Sequence, residues 1–126
     1  MRHWATRGWA ALAVVWMAVI FGLSSLPGSS VPGRYGSLGH LVVYAVLGAL
    51  YYAALAGRLP VGRAALIAIA LASAYGITDE FHQSFVPGRM PDPVDWLVDT
   101  TGAALAVAAL VAIGRWRKRA STGEES

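Results

Sequence analysis

Between positions 79 and 99 the chain places Asp79, Glu80, His82, Gln83, Arg89, Asp92, Asp95 and Asp99, and so five of its seven acidic residues. Carboxylates accept hydroxyl protons, pair with cations or serve as general acids and bases; a guanidinium recognises phosphate or carboxylate as a fork; glutamine and imidazole give directional hydrogen bonds. Apolar stretches of membrane-spanning length flank this run. An ionisable side chain beside hydrocarbon costs several kcal/mol, roughly 3 on insertion scales, unless it finds a partner or water. A functional role is therefore expected of this cluster.

The elements that must position these groups follow from composition. The chain has 126 residues, 56% hydrophobic and 13% charged, whereas roughly a quarter of residues are charged in soluble domains. An integral membrane protein is expected. Cysteine is absent, which excludes disulfides, thiolate metal sites, haem attachment and cysteine nucleophiles. The net charge of +3 is spread over the ends of apolar segments, which suits topology signals and anionic lipid headgroups, and no nucleic-acid partner is implied.

Four apolar stretches, at residues 9–26, 38–56, 64–81 and 94–113, each approach the ~20 residues that an α-helix needs to cross a bilayer. The expected fold is all-α, a bundle of four transmembrane helices. Connections fall at 27–37, 57–63 and 86–93, all built from turn formers. Residues 1–114 form one domain, and 115–126 read as a basic juxtamembrane segment with a disordered tail. The first stretch reads as a retained span because no Ala-x-Ala cleavage site follows it.

Short cytoplasmic loops are enriched in Lys and Arg. With both termini cytoplasmic, Arg2, Arg7, Arg58, Arg63, Arg115, Arg117, Lys118 and Arg119 lie inside and only Arg34 and Arg89 outside. The acidic cluster is then extracytoplasmic. Trp4, Trp9, Trp96 and Trp116 fall near helix ends, where aromatic belts are expected.

Spacing predicts which faces pack. Ala64, Ala68, Ala72 and Gly76 form a small-xxx-small seam on the third helix, and the next member of that row is Glu80. Asp95, Asp99, Gly102 and Ala106 share a stripe on the fourth helix, and His40, Tyr44, Gly48 and Tyr51 share one on the second. Tyr75, Asp79 and His82 form a row beside the Glu80 face. Three helices thus offer polar groups to one place. A metal is conceivable there, since Asp79, Glu80, His82, Asp95 and Asp99 include hard oxygen ligands and an imidazole, but the spacing is not diagnostic and no cofactor is assigned.

At these residues the sequence resembles the VanZ-like family of small bacterial integral membrane proteins. The resemblance rests on Leu23-Ser24-Ser25-Leu26-Pro27, on His40-x-x-x-Tyr44, on Asp79-Glu80-Phe81-His82-Gln83-Ser84-Phe85-Val86-Pro87-Gly88-Arg89, and on Asp95-x-x-x-Asp99-x-x-Gly102. It spans about residues 15–110. Two positions depart from the family pattern: Ser37 stands where a lysine is usual, and Asp99 where asparagine is frequent. The resemblance implies a multi-pass protein of the bacterial cytoplasmic membrane, with His40, Glu80, Gln83, Arg89 and Asp95 as site residues. The family is named for a protein linked to low-level resistance to the glycopeptide teicoplanin.

Three functions stay open on the sequence. In the first, an outward polar pocket of His40, Tyr44, Asp79, Glu80, Gln83, Arg89, Asp95 and Asp99 binds an envelope lipid or a glycopeptide-type amphiphile. In the second, a membrane enzyme acts on a lipid-linked or cell-wall substrate with Glu80 as general acid or base; no serine elbow, phosphate loop or His-Glu-x-x-His accompanies it. In the third, the polar groups are internal glue in an accessory protein of an envelope complex. The oligomeric state is not legible.

Overall fold

The computed structural model describes residues 2–27 and 33–123. Four helices follow one another: α1 (Arg2–Ser24), α2 (Gly33–Leu55), α3 (Val61–Gln83) and α4 (Pro93–Gly123). Each is long and apolar enough to cross a membrane, so the chain is a multi-pass membrane protein, as expected. The connection at 28–32, the side chains of Arg2, Trp4 and Arg34, and residues 124–126 lie outside what is described.

Every helix begins before its apolar stretch, and α3 and α4 also run past the end of theirs, because hydropathy marks the part that meets lipid while helical geometry continues into polar residues until a breaker stops it. Pro27 follows α1, and Gly57 and Pro60 separate α2 from α3. Pro93 takes the first helical position of α4, where its missing N–H costs nothing. Asp92 just before it accepts the Val94 N–H at 2.9 Å through Oδ1, a side-chain cap. In the tight turn between α3 and α4, Gly88 alone among the described residues has a positive φ, 76°, which a side chain would disfavour. The basic juxtamembrane segment and the first residues of the expected tail are helical: α4 continues through Arg115-Trp116-Arg117-Lys118-Arg119 to Gly123. Arg, Lys and Ala are good helix formers and no breaker interrupts them.

Small residues face inward and large apolar ones outward. Ala64, Ala68, Ala72, Gly76 and Gly102 are buried, whereas Leu12, Val14, Phe21, Leu66, Ile77 and Leu105 are exposed to the surroundings. Lipid gives helices no hydrophobic reason to associate, so close backbone approach does the work. A Cβ placed on Gly102 would stand 2.3 Å from the Leu41 carbonyl oxygen, and one on Gly48 would stand 2.8 Å from the Ala103 Cα. These two glycines let α2 and α4 touch along their length.

α2 packs against all three other helices, and α1 leans mainly on α2. A core of Ile20, Tyr44, Leu47, Ala72 and Ala103 fills the centre. Hydrogen bonds between helices pin the packing: Trp16 Nε1 donates to the Val43 carbonyl at 2.9 Å, the Tyr75 hydroxyl to the Met17 carbonyl at 2.6 Å, and Ser73 and Thr100 share one at 2.9 Å. Trp96 departs from the expected belt. It is half-buried, and its indole donates to the Ser73 carbonyl at 3.0 Å between α3 and α4.

Candidate functional site

The polar groups meet one to two turns inside the end of the bundle that carries the α3–α4 connection. Asp79 is 5% exposed and Asp99 fully buried. Asp79 accepts two hydroxyls, from Ser24 at the end of α1 to Oδ1 and from Tyr44 to Oδ2, the latter at 3.1 Å. Gln83, also buried, donates through Nε2 to Ser24 Oγ at 3.4 Å. Asp99 pairs with His40, Oδ1 to Nδ1, at 2.7 Å. The His40 and Tyr44 rings, one turn apart on α2, lie parallel within 2° with centroids 6.3 Å apart, so one face of α2 holds both carboxylates.

A cavity of about 180 Å³ opens beside these groups. Ile20, Leu23, Leu26 and Val43 form apolar walls, and Ser24, His40, Tyr44, Asp79, Gln83 and Arg89 supply its polar lining. Arg89 reaches it from the α3–α4 connection. Its Nε and Nη2 donate to the Leu26 and Leu23 carbonyls at 3.1 and 3.3 Å, which closes the end of α1. Five N–H donors sit on a guanidinium, so part of its capacity is left for a ligand.

The VanZ/LLP1 family profile matches residues 9–114, the greater part of the chain. The chain belongs to the VanZ/LLP1 family. No curated protein and no solved structure matches it.

The residues that carry the VanZ resemblance are divided by the fold. His40, Gln83 and Arg89 line the cavity, together with Tyr44 and Asp79. Glu80 and Asp95 do not. Glu80 Oε2 accepts the Asp92 backbone N–H at 2.9 Å, so this carboxylate ties the end of α3 to the start of α4. Asp95 is half-buried with no side-chain hydrogen bond among the described residues. His82, one turn from Asp79, stacks on Phe21 at 4.2 Å and stands 3.4 Å from Ser25 Oγ.

The buried row of α3 runs Ala64, Ala68, Ala72, Gly76, Asp79, Gln83, so Asp79 takes the inward place expected of Glu80. At 3.6 residues per turn a four-residue step overshoots by about 40°; three such steps reach Gly76, and a fourth would leave Glu80 about 160° off the starting face. A three-residue step turns back by about 60° and keeps Asp79 on it. Ser24 escaped the site reading, although it stands in the Leu-Ser-Ser-Leu-Pro segment. Nothing in a lone serine at a helix end tells it from a cap. Of the conceivable metal ligands, Asp79 and Asp99 come together with His40, each offering an atom within 4.8 Å of the others.

Proposed function

We propose that this VanZ/LLP1 protein is a binding protein of the bacterial cell envelope. Its cavity takes the polar headgroup of an amphiphile, with an envelope lipid as the occupant. The supporting observation is the cavity's make-up: a predominantly apolar surface from α1 and α2, with Asp79 and His40 at its inner edge and a guanidinium at the connection end. Such a site suits a molecule that is part hydrocarbon and part phosphate or carboxylate, with hydroxyls to donate. Placing this end of the bundle outside follows from the eight basic residues gathered at the opposite end.

Size narrows the occupant. About 180 Å³ is enough for a phosphate or one sugar ring. A glycopeptide is far larger and would engage through one substituent only. A link to teicoplanin resistance therefore runs, in this reading, through the envelope lipid rather than through capture of the whole drug.

Native mass spectrometry of protein purified in mild detergent tests the proposal, with wild type beside Arg89→Ala and Glu80→Gln. A retained lipid or glycolipid that is lost in Arg89→Ala and kept in Glu80→Gln is the expected result. Equal retention in all three, or none in any, removes the binding reading and leaves the polar cluster as internal glue.

A further inference from the structure

Two carboxylates are buried side by side with one imidazole between the helices, and no Lys or Arg among the described residues pairs with either of them. Taking a carboxylate out of water is expensive unless its oxygens are hydrogen-bonded and its charge is met. Asp79 satisfies the first condition through Ser24 and Tyr44. Asp99 does not: it is 0% exposed, Oδ1 is held by His40, and Oδ2 has no partner among the described residues. That oxygen faces Gly76, where a Cβ would stand 3.2 Å from it. A buried lone oxygen in a native fold needs an explanation, and an ion or water that completes it is one.

We propose that His40, Asp79 and Asp99 form a site for one divalent transition-metal cation, Zn²⁺ or Mn²⁺. Their candidate ligand atoms all lie within 4.8 Å of one another. Zinc holds nitrogen and oxygen ligands at about 2.0–2.2 Å, which places neighbouring ligands roughly 3–4 Å apart, so the three need draw together only by side-chain adjustment. One imidazole with two carboxylates is a mixed nitrogen and oxygen set. It suits these ions better than Mg²⁺ or Ca²⁺, which prefer oxygen throughout. The three ligands come from α2, α3 and α4, so the ion would tie α4, which does not line the headgroup cavity, to α2 and α3, which do. His40 and Asp79 also line that cavity, so the ion and a headgroup would be neighbours, and the test reads the two separately.

The test uses the full chain in detergent, stripped with a chelator and dialysed against ZnCl₂, MnCl₂ or MgCl₂. Bound metal is counted by mass spectrometry, and Tm is read from tryptophan fluorescence. Wild type should hold one equivalent of Zn²⁺ or Mn²⁺ per chain that excess Mg²⁺ does not displace, with a rise in Tm. Asp99→Asn and His40→Gln should lose that equivalent, while Asp95→Asn, outside the trio, keeps it. Absence of a saturable equivalent in wild type overturns the proposal whether or not the variants fold. Retention by a folded Asp99→Asn also overturns it. Lipid retained by the same samples is weighed separately, so that a failed metal site and a failed headgroup site are told apart.

Discussion

His40 on α2 and Asp99 on α4 meet at 2.7 Å, Nδ1 to Oδ1, although 59 positions separate them in the chain. The short reach has a backbone cause. Three residues past Asp99, Gly102 lies flush against the Leu41 carbonyl, and Leu41 adjoins His40. The same missing side chain that lets two helices touch also brings an imidazole and a carboxylate into contact. Packing seam and polar site are one construction here.

Gly102→Ala is therefore expected to damage both. The new Cβ would stand 2.3 Å from backbone oxygen and 3.3 Å from the Ala45 nitrogen, and backbone cannot swing away as a side chain tip can. Overpacking of this kind costs about 1–3 kcal/mol or more. Gly22→Ala, with nothing within 4 Å of its Cβ, is the matched control and should melt no lower than wild type, since alanine favours the helix. Thermal melts in detergent decide it; equal Tm for the two variants would refute the account of the α2–α4 contact.

Tyr44→Phe removes only an oxygen from a side chain that is 1% exposed, so no cavity is made. What it leaves is Asp79 Oδ2 without its donor, a loss of about 1–3 kcal/mol for a buried group left unsatisfied. Ser24→Ala does the same to Oδ1. Because both act on one carboxylate, their effects should not add. A double variant whose loss of stability equals the sum of the single losses would mean that the two hydroxyls act independently of each other.

The helix count and the membrane class were legible because span length and apolarity are properties of a single segment. The polar convergence was legible too, since His40, Tyr44 and Asp99 sit on stripes that also carry Gly48 and Gly102. What failed was phase. Following the four-residue row from Ala64 led to Glu80, whereas the accumulated rotation of a real helix turns Asp79 inward. Ser24 and the Arg89 contacts to α1 depend on how the chain ends meet in space, which spacing within one helix does not encode. α4 outruns its apolar stretch because hydropathy falls at Arg115 while helix propensity does not.

Glu80 gives a different kind of prediction, because its Oε2 holds the Asp92 N–H at 2.9 Å and Asp92 in turn caps α4. Glu80→Gln keeps a side-chain oxygen that can accept this bond, whereas Glu80→Ala does not. The alanine variant should free the α3–α4 connection, and trypsin should cut after Arg89 several-fold faster than in wild type or Glu80→Gln. If Glu80→Gln is cut as fast as Glu80→Ala, the charge and not the hydrogen bond secures the connection.

Orientation can be read directly, because the chain has no cysteine and single introduced thiols are unambiguous. Ser84, just past α3, and Ser121, near the end of α4, are both exposed, so neither substitution disturbs packing. Eight of the ten basic residues gather at the end that holds Ser121, and Lys and Arg favour the cytoplasmic side. In spheroplasts, a membrane-impermeant maleimide should label Ser84→Cys at once and Ser121→Cys only after the membrane is opened. The reverse pattern would put the cavity and Arg89 on the cytoplasmic side and turn the search for its ligand to the inner leaflet.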